Sequence, residues 1–555
     1  MARSIVMFLL VIFSAAFSKA ADLTAALKYL PTQEAGRIKP FDSFAREVLF
    51  VLHGKEKVCK ESTCRPAHEV IFTMLLQPQL WQEQPLIEIK RDQLKEALRL
   101  SKDQKHFTPN QIVTSPRLSL VFQELEGKRA TKEKLDPYFQ AVQRLENQLF
   151  TFRELSTGHM FRLLPPKEGE TWVAIPAFEG PARDAFMKIT DAFMAAIAAY
   201  SNPNLPSADA DKIKKEMEAA VEDFKALARA ENPALYPSDF DKKLEVHYNA
   251  FHPFHWSWIL YALAFVFWLT SWITRKEKLH KFAMLFTILG FLLHSYGFFL
   301  RVYLTGRPPV SNMYETVVWV SWGAVLFSFI IFQMYRFRLV PLAGTAVAAV
   351  CLILSDAAPS ILDPTLQPLE PVLRSNFWLT THVLIITISY AAFFLALGIG
   401  NTALVFYMKD ENQYRDAITA CVNSIYRAIQ IGVVLLAAGI ILGGVWADYS
   451  WGRFWGWDPK ETWALIALLG YLAVLHGRIG GWLADFGLVV GSIVSFSLVV
   501  MAWYGVNYIL GAGLHSYGFG AGGVEVVLSV IAIQWLFVVF VAIIRQGRNK
   551  IQPKT

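Results

Sequence analysis

Residues 428–463 read AIQIGVVLLAAGIILGGVWADYSWGRFWGWDPKETW, and two signals meet in them. The first twenty, 428–447, carry no charge and are long enough to cross a hydrocarbon core of about 30 Å as a helix. The rest is crowded with indole rings: Trp446, Trp451, Trp455, Trp457 and Trp463 fall within 18 residues. A membrane-interface belt scatters Trp over many helix ends. Here the rings gather in one segment, with Gly452 and Gly456 letting the backbone turn tightly. Such a surface suits a large, flat, apolar ligand held by stacking near the membrane plane. Asp458, Lys460 and Glu461 add polar handles, and Asp458-Pro459 has the form of a helix start.

The apolar signal recurs on both sides. Spans are expected at about 254–273, 282–304, 316–334, 339–355, 378–408, 428–447, 462–483, 486–510 and 524–544. Composition agrees: of 555 residues, 54% are hydrophobic and 18% charged, against about 25% charged in an average soluble domain. The expected fold class is all-α, a polytopic transmembrane helix bundle of about nine spans (251–555) behind an N-terminal α-helical extracytoplasmic domain (21–250). The net charge of +7 belongs to the cytoplasmic loops of such a bundle, so no nucleic-acid partner is implied. Lys and Arg concentrate at 275–281, 335–338, 409–427, around Arg478 and in 545–555, which the positive-inside rule assigns to the cytoplasm. The loops at 305–315, 356–377, 448–461 and 511–523 then face outward.

The N-terminus points the same way. Arg3, an apolar run over 5–13 and the small-x-small site Ser18-Lys19-Ala20 have the grammar of a secretory signal peptide (1–20). That run is too short to span a bilayer. Residues 212–232 place apolar side chains at helical spacing opposite a charged face, and Pro31, Pro40, Pro165-Pro166, Pro203 and Pro237 mark breaks. Four cysteines exclude a disulfide scaffold. In an oxidising compartment the C-x4-C pair Cys59 and Cys64 suits a local disulfide, with a redox-active pair as the alternative. Cys351 and Cys421 are read as packing thiols.

Histidine inside a membrane is costly without a function. His382 lies one turn inside the outer end of the fifth span, and His515 lies in the outward loop LGAGLHSYGFG. His294 falls mid-way along the second span and His476 in the inner half of the seventh. Imidazole is the common axial ligand of haem iron, so two pairs at two depths suggest two haem positions. Taken singly, each is an ordinary hydrogen-bonded side chain; the joint placement with the Trp-rich segment argues for ligands. Haem propionates need cationic partners, and the outward candidates are Arg301, Arg307, Arg374 and Arg453.

At WGRFWGWDPKETW the chain resembles the tryptophan-rich "WWD" signature of haem-handling membrane proteins, in the form found in the CcsA (ResC) family of System II cytochrome c synthases. GRPPVSNMYE, the Trp378 to His382 segment and GLHSYGF fit the same family. The resemblance is strong over about 280–525 and weak at EAGRIKPFDSFAREVL (34–49).

The resemblance implies haem b as substrate and bound ligand, with His382 and His515 as external iron ligands and catalytic residues. Trp451, Trp455, Trp457, Asp458, Arg307 and Arg453 would complete that binding site. It places the transmembrane ligand on His476. The usual partner of that ligand belongs to a CcsB (ResB) type membrane protein. No CcsB-like region is recognised here, so His294 or another chain is expected to complete the pair. It further implies a haem lyase that joins haem to the C-x-x-C-H motif of apocytochrome c through thioethers. Apocytochrome c, a CcsB-type protein and thiol-reducing proteins are the expected partners, in the bacterial cytoplasmic (inner) membrane. A haem exporter without ligase activity would need the same residues. A generic solute transporter would show an internal repeat, and none is recognised.

Overall fold

The computed structural model describes residues 22–60, 63–131, 135–200, 206–359, 361–368, 376–511, 513 and 523–551. The signal-peptide segment, Arg374 and His515 lie outside them. The chain divides into two compact units, Met1–Ala250 and Phe251–Thr555.

The first unit is built on amphipathic helices, among them Phe41–His53, Pro137–Ser156, Gly180–Tyr200 and Ser207–Glu231, around the almost wholly buried helix Ala67–Leu76. Their apolar faces close over a phenylalanine-rich core in which Phe41 stacks on Phe161 at 5.9 Å and Phe72 meets Phe193 edge-on at 4.7 Å. A mostly helical unit is the expectation; among the described residues the structure adds four two-stranded antiparallel ribbons between the helices. One of them, Lys57–Lys60 with Thr63–Pro66, pairs Cys59 directly with Cys64, and the two form a disulfide.

Among the described residues, nine helices are long and apolar enough to cross a membrane. In the second unit they are α1 (Pro253–Thr274), α2 (Glu277–Thr305), α3 (Met313–Tyr335), α4 (Leu339–Ala357), α5 (Leu384–Lys409), α6 (Arg415–Trp451), α7 (Pro459–Ile479), α8 (Asp485–Val500) and α9 (Val524–Ile551). Two carry π-helical turns, Leu379–Val383 leading into α5 and Met501–Leu510 continuing α8. Helix α5 lies at the centre, packed on α3, α6 and α8; α1 packs on α2 and α4, and α7 on α6 and α8. The protein is therefore an all-α polytopic membrane bundle.

Several ends differ from expectation. Helix α6 begins at Arg415, inside the expected 409–427 loop, and runs through Trp446 to Trp451. Only residues 452–458 then remain as irregular backbone before α7. Gly452 ends α6 in the left-handed region (φ 69°), where glycine has no Cβ to clash. Asp458-Pro459 starts α7 as its sequence suggests. The Asp458 carboxylate accepts from Lys460 N, while Glu461 reaches back to Asp458 N in a capping box.

Candidate functional site

The Trp-rich segment, the start of α5, the start of α7 and the π-helical end of α8 share one end of the bundle, because consecutive spans alternate in direction. Between them lies a pocket open to solvent. Its walls include His382, Tyr390, Trp446 and Trp455, with Lys460 and Asn507 among its polar groups. Both π-helical turns line it, through His382 on one and Trp503, Asn507 and Tyr508 on the other. π-Turns are rare and gather at functional sites.

His382 is the best-positioned group. Its Nδ1 lies 2.8 Å from the carbonyl oxygen of Gly439. A carbonyl only accepts, so Nδ1 carries the proton and Nε2 carries the lone pair of the neutral ring. Metal-ligating imidazoles are commonly oriented this way, one nitrogen donating to a backbone carbonyl and the other coordinating. Trp446 stacks on the ring at 6.0 Å with a 14° interplanar angle. The ring fits because position 443 on α6 is glycine: a Cβ there would fall 2.5 Å from His382 Cε1 and 2.9 Å from Nδ1.

The other Trp residues extend this platform. Trp451 meets Trp446 edge-on at 4.8 Å, and Trp455 meets Trp457 at 5.8 Å and 88°. Trp457 is exposed and sits in the left-handed region (φ 56°), a costly conformation for a bulky side chain. Glu461 holds it there, because Oε2 accepts from Gly456 N at 2.9 Å and Asp458 N at 3.2 Å, the amides on either side. Arg453 donates to Glu461 Oε1 at 3.1 Å and lies over the Trp451 ring at 5.5 Å. Asp458 is a buried helix cap.

Arg307 is engaged away from the pocket. It is not among the pocket residues. Its guanidinium donates to Glu315 Oε2 at 2.9 Å, to Gln367 O at 2.8 Å and to Ser311 Oγ. Arg301 grips the other oxygen of Glu315 at 2.7 Å and the carbonyl of Pro364 at 2.8 Å. All three charged side chains are buried, and together they latch the 306–312 loop to residues 364–367. Through that latch, Val310 to Met313 form one wall of the pocket.

The structure does not bring His294 and His476 together. His294 is wholly buried on α2, stacked on Phe298 at 5.2 Å with Nδ1 3.3 Å from the Tyr261 hydroxyl. His476 is exposed on the last turn of α7, its Nδ1 2.7 Å from Leu472 O. Helix α2 packs mainly on α1, and α7 on α6 and α8. Of the two expected partners of His476, His294 is thus not placed beside it in this structure. For His515, the described residue two places before it, Gly513, lies against Asp458 and Pro459 at the start of α7.

Gly443, Asn507, Trp503 and Tyr508 escaped the sequence reading. Only the run of small residues Gly439, Gly443 and Gly444 on α6 hinted that something large packs there.

Comparison with known proteins now bears on this site. The family model described as Cytochrome C assembly protein matches residues 310–515, which hold the pocket, the Trp-rich segment and Glu315 of the latch, while Arg301 and Arg307 precede them. Protein NrfI of Wolinella succinogenes is 29% identical over 517 residues, covering 87% of this chain. That share cannot be reached without the N-terminal unit, yet this chain spans only 53% of NrfI. The cytochrome c biogenesis protein CcsA of Synechococcus sp. (strain CC9902) is 32% identical, covering 47% of this chain and 93% of that protein. Its counterpart in Prochlorococcus marinus (strain NATL2A) is 33% identical, covering 50% and 95%. Nine helices among the described residues long and apolar enough to cross a membrane, and relatives matched over nearly their whole length, lead to one conclusion: the chain belongs to the CcsA family of cytochrome c biogenesis proteins.

Proposed function

We propose that the protein is the haem-transferring component of a cytochrome c synthase in the bacterial cytoplasmic membrane, its N-terminal unit periplasmic and its C-terminus cytoplasmic. The observation that carries this reading is His382, held by Gly439 O with its lone pair on Nε2, in an aromatic pocket at the Trp-rich end of the bundle. Haem b is the substrate. His382 and His515 ligate its iron there, and the ring lies on the Trp platform. Two imidazoles fill both axial positions and so exclude oxygen.

An apocytochrome then presents its C-x-x-C-H segment, and its His replaces one imidazole. Each thiol adds across a vinyl group: an S–C bond forms, the thiol hydrogen passes to the other vinyl carbon, and no net oxidation occurs. The protein contributes chiefly the orientation of two reactants. His476, exposed on the bundle surface, suits a transmembrane ligand pair completed by a CcsB-type chain. Thiol-reducing proteins would keep the two substrate cysteines as thiols.

The test is co-expression with a c-type apocytochrome, and a CcsB-type partner, in a host lacking its own maturation system. Haem that stays on the cytochrome through denaturing electrophoresis is the expected result. Accumulation of unattached haem without any covalent product would assign export alone.

A further inference from the structure

The pocket has a second pole. Lys460, half-buried on the first turn of α7, directs Nζ to two neutral acceptors, Asn507 Oδ1 at 3.1 Å and the Trp503 carbonyl at 3.3 Å. Among the described residues it makes no ion pair. Neither nearby carboxylate contacts the ammonium: Asp458, whose Oδ1 accepts from the backbone N–H of Lys460, acts on it only through space, and Glu461 holds Arg453 and two amides. Taking an ammonium out of bulk water without a carboxylate in direct contact is costly. Such a charge in a ligand pocket is explained by an anion that arrives with the ligand. The other walls offer aromatic faces, small polar groups, an imidazole and the Glu461 carboxylate, whose charge Arg453 balances. That combination fits a flat apolar ring bearing a metal at its centre and a carboxylate on its edge.

We propose that Lys460 is the carboxylate-reading residue of this pocket, its ammonium aimed by Asn507 and Trp503 O at a propionate of the incoming haem. The inference rests on the haem reading of the pocket. It replaces Arg307, whose guanidinium is committed to the Glu315 latch. The rival role is a tether: the same two hydrogen bonds join α7 to the π-helical end of α8, and a tether would be indifferent to the charge of the ligand.

The two roles separate when ligand charge is varied. Full-length protein, purified in detergent, is titrated with ferric haem and with its dimethyl ester, which keeps the ring and iron but lacks the carboxylates. One charge-assisted hydrogen bond predicts that wild type binds haem about tenfold more tightly than the ester. Lys460→Gln and Lys460→Met should lose about tenfold for haem while binding the ester as wild type does, and Lys460→Arg should recover the preference. Equal weakening for both ligands would make Lys460 a tether and overturn the proposal. So would a preference for haem that survives both neutral substitutions, although the haem reading would then stand. Wild-type protein that binds neither ligand would remove the haem reading and this inference with it.

Discussion

Replacing His382 with glycine abolishes covalent haem attachment to a co-expressed cytochrome c, and imidazole added to the medium restores part of it. The loss follows from the ring's position: Nδ1 is fixed by Gly439 O, one face lies on Trp446, and Gly443 leaves room for its edge. Removing even an outer partner of a metal-ligating His typically costs about 10–100-fold, so removing the ligand itself should cost more. Rescue follows from the walls that remain, because the substitution empties a ring-sized space beside an intact aromatic platform. His515→Gly should behave alike as the second external ligand. His476→Gly should not be rescued, since bulk imidazole reaches a bilayer-facing position poorly. Full maturation by His382→Gly without imidazole would remove the ligand assignment.

Glu315→Ala should be among the most destabilising single changes in the membrane unit, by about 3–5 kcal/mol. Glu315 carries one carboxylate between two buried guanidinium groups, at 2.7 Å from Arg301 and 2.9 Å from Arg307. Removing it leaves two cationic side chains buried without a counter-ion, which costs far more than the intact pair contributes. It also releases Ser311, whose N–H donates to Glu315 Oε2 at 2.9 Å, and with it the loop that walls the pocket. The check is the detergent-unfolding midpoint of the purified variant beside wild type, with haem retention read in parallel. An unchanged midpoint would show that the latch is not what holds this wall.

How much was legible depended on the range of the signal. The nine spans were readable because an uncharged run of about twenty residues has few alternatives to a membrane helix. Their ends were less so: α6 extends to Arg415 and Trp451 because charged and aromatic residues continue a helix beyond the bilayer without altering its backbone bonds. The ribbons of the N-terminal unit, such as Ile87–Glu88 with His106–Phe107, are too short to show a two-residue alternation. The capping box at Asp458 was local and therefore visible. The pocket was half visible. His382 and the Trp-rich segment stood out jointly, whereas Asn507 meets Lys460 only because α8 folds back on α7, 47 positions along the chain. Arg307 shows the converse. Its charge and outward loop suggested a ligand partner, and nothing in the spacing revealed that Glu315 and the Gln367 carbonyl would claim it.

The central claim is that this end of the bundle holds haem without a covalent bond before passing it on. It is tested most directly by purifying the full-length protein from haem-replete membranes and extracting it with acid–acetone. The account predicts a coloured preparation whose haem b leaves entirely into the solvent, and a His382→Gly preparation that retains markedly less. A colourless wild-type preparation, or haem that acid–acetone cannot remove from the chain, would contradict it.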